Sequence, residues 1–308
     1  MSISATLVKE LREKTNAGMM DCKKALEATS GDFNAAVEWL RVKGLGAAAK
    51  KADRIAAEGA VFAELHGNTG VVVEINSETD FVARNDGFKA LAGNVVAHLA
   101  KTNLEGDVLA QPYAADSSKK LGDLFTEATA TIGEKIVLRR HEKYTATATS
   151  LVHTYLHGEG KIGVMVEASV SKPEAANAPA LKTFAQDVAL HIAAMNPMAI
   201  SSEQIPADVV AKEKEILTAK NLESGKKPEM IEKIVEGQIR KFLAENCLLD
   251  QPFVKNPDMK VSDLAKAVGK EIGADVTVKR FVRFELGAGI EKKTNDFAAE
   301  VAAQMKGH

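Results

Sequence analysis

The feature that most constrains this chain is an internal repeat. The segment LVHTYLHGEGKIGVMVEASV, beginning near Ser150, copies GAVFAELHGNTGVVVEIN, beginning at Gly59. A shift of 93 residues lays Gly163, Val164, Val166 and Glu167 on Gly70, Val71, Val73 and Glu74. The same shift lays Leu181, Phe184, Val188, His191 and Ile192 on Phe88, Leu91, Val95, His98 and Leu99. Period-two alternation marks each first part as a β-hairpin, the first turning between His66 and Gly70, and period 3.6 marks each second part as a helix. One offset through hairpin and helix argues for duplicated ββα units rather than for helical period alone. The implied class is α+β with antiparallel sheets. The copies part at one place: SETDFVARN (Ser77 to Asn85) stands opposite VSKPEAANA (Val170 to Ala178). A shared scaffold with one divergent loop is how function is grafted onto a fold.

The remaining sequence surrounds this core. Leu7, Val8 and Leu11 sit at helical spacing until TNAG (Thr15 to Gly18) interrupts them. A second helix is expected from about Met20 to Ala28. Ser30-Gly31 closes it, and Asp32 is placed as N-cap of a third helix through Phe33, Val37 and Leu40. Gly44-Leu45-Gly46 and an Ala/Lys stretch read as a linker leading away from this bundle. Thr79-Asp80 is expected to cap the helix through Phe88. A helix through Leu121, Leu124 and Phe125 precedes a strand at Lys135 to Arg140. Pro206 opens a charged helix with a thin apolar stripe at Val209, Ile216 and Leu217. Ser224-Gly225-Lys226-Lys227-Pro228 turns it into a second, through Ile231, Ile234, Val235, Ile239 and Phe242. The pair reads either as a protruding coiled-coil arm or as a hairpin lying on the core. A short helix (Val261 to Val268), a strand VTVKRFVRFELG and an amphipathic helix from about Thr294 to Met305 complete the chain. The resulting division is 1–55, 56–146, 147–197, 198–243 (the arm), 244–289 and 290–308.

Composition narrows the function classes. The 308 residues carry 40 Lys+Arg against 42 Asp+Glu, so no global basic field attracts nucleic acid. Aromatic residues are only 5%, too few for base-stacking platforms. The first 55 residues nevertheless carry +3, leaving −5 for the rest. No apolar run approaches the ~18 residues of a membrane span, and the start lacks an apolar signal region. Cys22 and Cys247 suggest neither a disulfide framework nor a zinc site. A cytoplasmic protein without membrane association is expected.

GxxxxGK[ST], HExxH, GxSxG and CxxC are absent. His153 and His157 would share a strand face, but Tyr155 lies between them and no carboxylate or cysteine completes a ligand set. His98 with His191, and Glu74 with Glu167, are repeat-related and better explained by packing than by acid/base work. Lys50-Lys51, Arg139-Arg140, Lys226-Lys227 and Lys292-Lys293 read as solvated faces, with local protein or RNA contacts as the alternative. Phe81 could be a core residue or an exposed probe. Of the adjacent Met19 and Met20, at least one is expected on the surface, since both cannot enter one small core.

Two segments, LREKTNAGMMDCKKAL (Leu11 to Leu26) and TDFVARND (Thr79 to Asp86), resemble the signature segments of the bacterial translation elongation factor Ts family. The similarity continues through HGEGKIGVMVE, EKIVEGQIRKF, QPFV and VRFELGAGIEKK, covering essentially the whole chain. The resemblance implies a three-helix N-terminal domain like ubiquitin-associated domains, a two-part α+β core, a coiled-coil dimerisation arm and a C-terminal helix. It implies guanine-nucleotide exchange on elongation factor Tu, which would be bound with GDP, emptied, and released when GTP enters. By motif position, Arg12, Met19, Met20 and Lys23 would hold the N-terminal domain to the GTPase domain. Thr79, Asp80, Phe81 and Val82 would form the segment that disturbs its magnesium site. His157 and Gly158 would face the distal β-barrel domain, and Phe297 and Val301 would add a C-terminal contact. No cofactor, metal or covalent chemistry is implied for this chain, and a homodimer through the arm is among the implied associations. A competing class is an adaptor that binds proteins without changing nucleotide affinity. A hydrolase using the histidines and Glu74 is disfavoured by the missing nucleophile.

Overall fold

The computed structural model describes residues 3–15 and 17–291. The N-terminal unit is three helices: α1 (Ala5–Thr15), α2 (Met19–Ala28) and α3 (Phe33–Ala49). They close on Leu11, Cys22, Ala25, Leu26 and Ala36, all fully buried. Asp32 caps α3 as its position suggested, its carboxylate accepting from Ala35 N at 2.9 Å. Gly44-Leu45-Gly46 is not a linker, however. The helix runs through it, and Gly44 packs on Thr126 and Ala130 of a core helix, where a Cβ would meet that of Ala130 in ordinary contact at 3.5 Å. Tertiary packing overrides the low helix propensity of glycine.

The first core copy runs β1 (Glu58–His66), β2 (Thr69–Ser77), a 3-10 turn (Asp80–Arg84), α4 (Asp86–Lys101), β3 (Pro112–Tyr113), β4 (Asp116–Lys120), α5 (Leu121–Ile132) and β5 (Val137–Thr145). Its main sheet has the antiparallel order β1-β2-β5. The second copy follows with β6 (Ser150–His157), β7 (Ile162–Val170), a 3-10 turn (Pro173–Ala175) and α6 (Pro179–Met195). Two helices, α7 (Ala207–Glu223) and α8 (Pro228–Asn246), then intervene. The copy resumes with β8 (Pro252–Phe253), β9 (Asn256–Lys260), α9 (Val261–Ile272) and β10 (Val276–Glu285), giving the sheet order β10-β7-β6.

The repeat is therefore larger than ββα. Beyond α4 and α6 the equivalent positions lie 140 residues apart: Gln111 and Gln251 carbonyls cap the starts of α5 and α9, and Gly133 and Gly273 end them in left-handed conformation. The rise of the offset from 93 to 140 measures the helical insertion in the second copy. That insertion concealed the longer repeat from a single-offset comparison. Two local expectations also shift. The strand expected at Lys135 to Arg140 is Val137–Thr145. Thr79 and Asp80 do not cap α4; Asn85 does, accepting from Gly87 N at 2.8 Å and Phe88 N at 3.2 Å, and the residues between form the 3-10 turn.

The copies cross face to face, and their glycines make this close. A Cβ on Gly70 would stand 2.7 Å from both Met165 Sδ and Val152 Cγ1. Gly163, the equivalent residue, lies reciprocally against Val61 and Val72, and a Cβ there would penetrate Val61 Cγ1. Val61, Val72, Val152 and Met165 fill the seam with Tyr144 and Phe284. Gly163→Ala is thus expected to cost about 1–3 kcal/mol by overpacking, read as a lower denaturation midpoint. Val61→Ala in the same chain removes the colliding atom and should recover part of the loss, so strictly additive effects would count against this crossing.

In the inserted helices, α7 and α8 pack antiparallel on each other, with Ile231 and Val235 buried between them. Asn221 is buried in the same seam, donating to Gln238 Oε1 at 2.7 Å and accepting from Lys226 Nζ at 2.7 Å. The root of the hairpin closes on Ala199, Ile205 and Cys247. Ile216, Leu222 and Met230 remain exposed along it.

Candidate functional site

The divergent loop is an exposed aromatic on a held turn. Strand β2 is buried along its length and delivers Ser77 to Glu78 at the sheet end. The following 3-10 turn buries Val82 in the first copy's core and leaves Phe81 80% exposed. Exposing a phenylalanine this fully forgoes about 1.5–3 kcal/mol of burial. Its neighbours do not let the turn relax. Thr79 N donates to Glu134 Oε2 at 2.9 Å and Thr79 Oγ1 to Glu134 Oε1 at 2.6 Å. Ser77 Oγ donates to Thr79 O at 2.8 Å. Asp80 is exposed beside Phe81, whereas Val82 anchors the turn from beneath.

On the bundle, Met19 and Met20 open α2 with 45% and 64% exposure, so both face outward where at least one is expected to. Arg12 and Lys23 are exposed on α1 and α2, Lys23 in a surface pair with Glu27 at 3.7 Å that contributes little. His157 and Gly158 lie at the tip of the β6–β7 hairpin, exposed, beside Leu156 at 41%. Tyr155 Oη is 3.1 Å from His157 Nδ1, with the rings stacked at 6.2 Å. The tip is pinned to the first copy: Gly160 O accepts from Val61 N at 2.8 Å. The candidate residues thus occupy three elements, the bundle, the 3-10 turn and the hairpin tip. Phe297 and Val301, with the expected terminal helix, lie outside the described residues. Among the described residues no group of three His, Cys, Asp or Glu could hold a metal ion, and no helix is long and apolar enough to cross a membrane.

Beneath these surfaces, Glu74 and Glu167 hold the copies in register. Glu74 has no exposed side-chain surface and pairs with Arg139 Nη1 at 2.9 Å and Arg140 Nε at 2.6 Å. Glu167 pairs with Lys279 Nζ at 3.0 Å and Arg280 Nε at 2.6 Å. Each arginine then crosses to the other copy. The guanidinium of Arg140 lies 4.4 Å over the Phe284 ring, and that of Arg280 lies 3.9 Å over Tyr144. Arg139-Arg140 is therefore not a solvated face. The recurrence of the basic pair at the 140-residue offset, opposite the recurring glutamates, was the available signal. Glu74 also accepts from Gly287 N at 2.8 Å, while Arg139 and Arg140 bind the carbonyls of Ala288 and Glu285. The end of the second copy is fastened to the first. Burial pushes the Tyr144 hydroxyl up to about 12, with Arg280 opposing.

The titration directions follow from these contacts. Burial alone would raise the glutamates, but Gly287 N–H and the two arginines at Glu74, and Lys279 with Arg280 at Glu167, hold both below the ordinary 4.5. Burial depresses His98 and His191 below 6.5, with Gln251 partly offsetting this at His191; each accepts a backbone N–H at Nδ1, from Ala114 and Val254 respectively, at 3.1 Å. Depressed folded values mean stability that is complete above the unfolded value and lost as pH falls through the folded one. The melting temperature should decline in two stages, first below 6.5 from the histidines and again below 4.5 from the glutamates. Calorimetry across this range checks it; a flat profile between 6.5 and 4.5 would contradict neutral buried histidines.

Comparison with known proteins bears on the whole assembly. A family model described as elongation factor TS matches residues 78–288, from the divergent loop to the Glu74-bound segment after β10. Over all 308 residues of both chains, this one is 96% identical to an elongation factor Ts of Bdellovibrio bacteriovorus. It is 48% identical to proteins of the same name from Trichlorobacter lovleyi and Symbiobacterium thermophilum, over 98% of each chain. A duplicated α+β core whose one divergent loop presents an aromatic, matched end to end by such relatives, places the chain in the elongation factor Ts family.

Proposed function

We propose that this chain is a guanine-nucleotide exchange factor for translation elongation factor Tu, acting in the cytoplasm. The observation that carries the reading is Phe81, an aromatic side chain held out into solvent on a turn clamped to the core. An exposed anchor on a preorganised support is what insertion into a partner requires. In this reading Asp80 and Phe81 enter near the partner's switch and magnesium region, with Thr79 and Val82 securing the segment. Arg12, Met19, Met20 and Lys23 hold a ubiquitin-associated-like bundle, residues 1–55, against the GTPase domain. His157 and Gly158 address its distal β-barrel, and Phe297 and Val301 add a contact from the terminal segment. The helices of 198–243 form a coiled-coil arm whose exposed Ile216, Leu222 and Met230 offer a seam for a second copy.

The physics is that of linked equilibria. Magnesium bridges nucleotide phosphates and keeps switch loops ordered. A contact that displaces groups around it raises the free energy of bound GDP and chiefly speeds its departure. By linkage, the factor weakens nucleotide affinity by the ratio in which nucleotide weakens the factor. A thousandfold effect requires about 4 kcal/mol of antagonism, more than one aromatic anchor commonly supplies, so several contacts share it. No bond is made or broken by this chain.

Stopped-flow release of fluorescent GDP from the partner, with and without this protein, is the direct test. The expected result is accelerated release and a nucleotide-free complex that added GDP dissolves. Tight binding with unchanged GDP affinity would instead support an adaptor.

A further inference from the structure

We propose that Glu134 is a positioning residue for nucleotide exchange, holding the Thr79–Arg84 turn so that Phe81 projects as a rigid probe; this rests on the exchange reading above. Glu134 lies half-buried at the junction of α5 and β5, 55 residues from the turn it binds. Its two carboxylate oxygens take separate donors of one residue, Thr79 N and Thr79 Oγ1, while Ser77 takes the carbonyl. All three polar groups of Thr79 are thereby engaged. The neighbouring residues repeat the exchange in reverse: Glu78 Oε1 accepts from Lys135 N at 2.7 Å. Two successive residues on each segment thus clamp the other, and charge-assisted bonds of this kind are the stronger class.

The second copy serves as an internal control. Its turn is preserved: Ala175 is buried where Val82 is, and Glu174 is exposed where Phe81 is. The reverse contact also survives, as Asp275 N donating to Ser171 Oγ at 2.8 Å. What is missing is the Glu134 bond. Ala274 stands at that position, Lys172 replaces Thr79 and turns to Gly273 O, and Pro173 begins the turn. A bond serving the fold alone would be expected in both copies. This one accompanies the aromatic.

The test is GDP release from the partner GTPase driven by full-length variants, measured over a range of factor concentration. Glu134→Ala should lower the maximal release rate roughly tenfold, the scale of a lost charged hydrogen bond. Thr79→Ser keeps both donors and should stay within about twofold of the unmodified rate, whereas Thr79→Val, which keeps only the N–H, should fall between. In a Phe81→Ala background, Glu134→Ala should cause a clearly smaller fold-loss than in the unmodified protein, because only Asp80 is left on the turn to position. A Glu134→Ala rate equal to the unmodified one, or the same fold-loss in the Phe81→Ala background as in the unmodified protein, overturns the inference while leaving the exchange reading intact. Full activity of Phe81→Ala would overturn the inference together with the role given to the loop, whereas no accelerated release by the unmodified protein would overturn the exchange reading itself. If Glu134→Ala fails to fold, Glu134→Gln, which keeps an acceptor for Thr79 N, carries the same comparison.

Discussion

On the proposed exchange reading, Phe81→Ala is expected to slow GDP release from the partner by about 30-fold while leaving the melting temperature unchanged. An interface anchor commonly costs about 2 kcal/mol when truncated, and 1.4 kcal/mol is a decade in rate. In the free protein the ring is 80% exposed, so its removal forfeits almost no folding energy. The neighbouring Val82→Ala is expected to behave in the opposite sense. Val82 is buried among the first-copy core residues, so its truncation lowers stability and affects exchange only by loosening the turn. Asp80→Ala is expected to act as Phe81→Ala does, more weakly, since an exposed carboxylate sheds less interface energy. If Phe81→Ala and Asp80→Ala both exchange at the unmodified rate, the assignment of this loop fails.

Glu74→Ala is expected to lower stability by about 3 kcal/mol, near the lower end for breaking a buried ion pair, because Arg139 and Arg140 keep some access to water. Three kinds of partner lose their acceptor together: the two guanidinium groups, Asn76 Nδ2 and the N–H of Gly287. The last is decisive. Gly287 lies against Ala57, where a Cβ would stand 2.5 Å from the carbonyl oxygen, with φ at +70°. Glu74 thus fastens the chain leaving the second copy onto the first copy's entry. Glu167→Ala leaves Lys279 and Arg280 without their acceptor but releases no such segment, and is expected to cost less. Differential scanning calorimetry of the two variants checks the order. A larger loss for Glu167→Ala would contradict the role given to the Gly287 contact.

The Asn85 cap shows why the loop was only partly legible. From sequence, Thr79-Asp80 reads as the start of α4, and Asn85, which does cap it, is as good a capping residue as Asp80. The choice fell to Glu134, which occupies the Thr79 hydroxyl and leaves Asn85 to satisfy the first N–H groups of α4. The Phe81 ambiguity has the same origin. A 3-10 turn buries one residue of three, and the packing of Val82 against the core decides that the neighbour faces water.

The sequence by itself determined the repeated scaffold, its hairpins and helices and the place where the copies diverge, because hydrophobic periodicity and turn chemistry are local. Family membership was equally legible, in long ordered motifs. Only the tertiary structure decided that α3 continues through Gly44, that Arg139-Arg140 serves a buried glutamate and that the repeat spans the α7–α8 insertion. Each of those depends on which surfaces meet across many residues of chain. Burial of a charge or a close glycine crossing has no local signature: its energy arises only when the two copies come together.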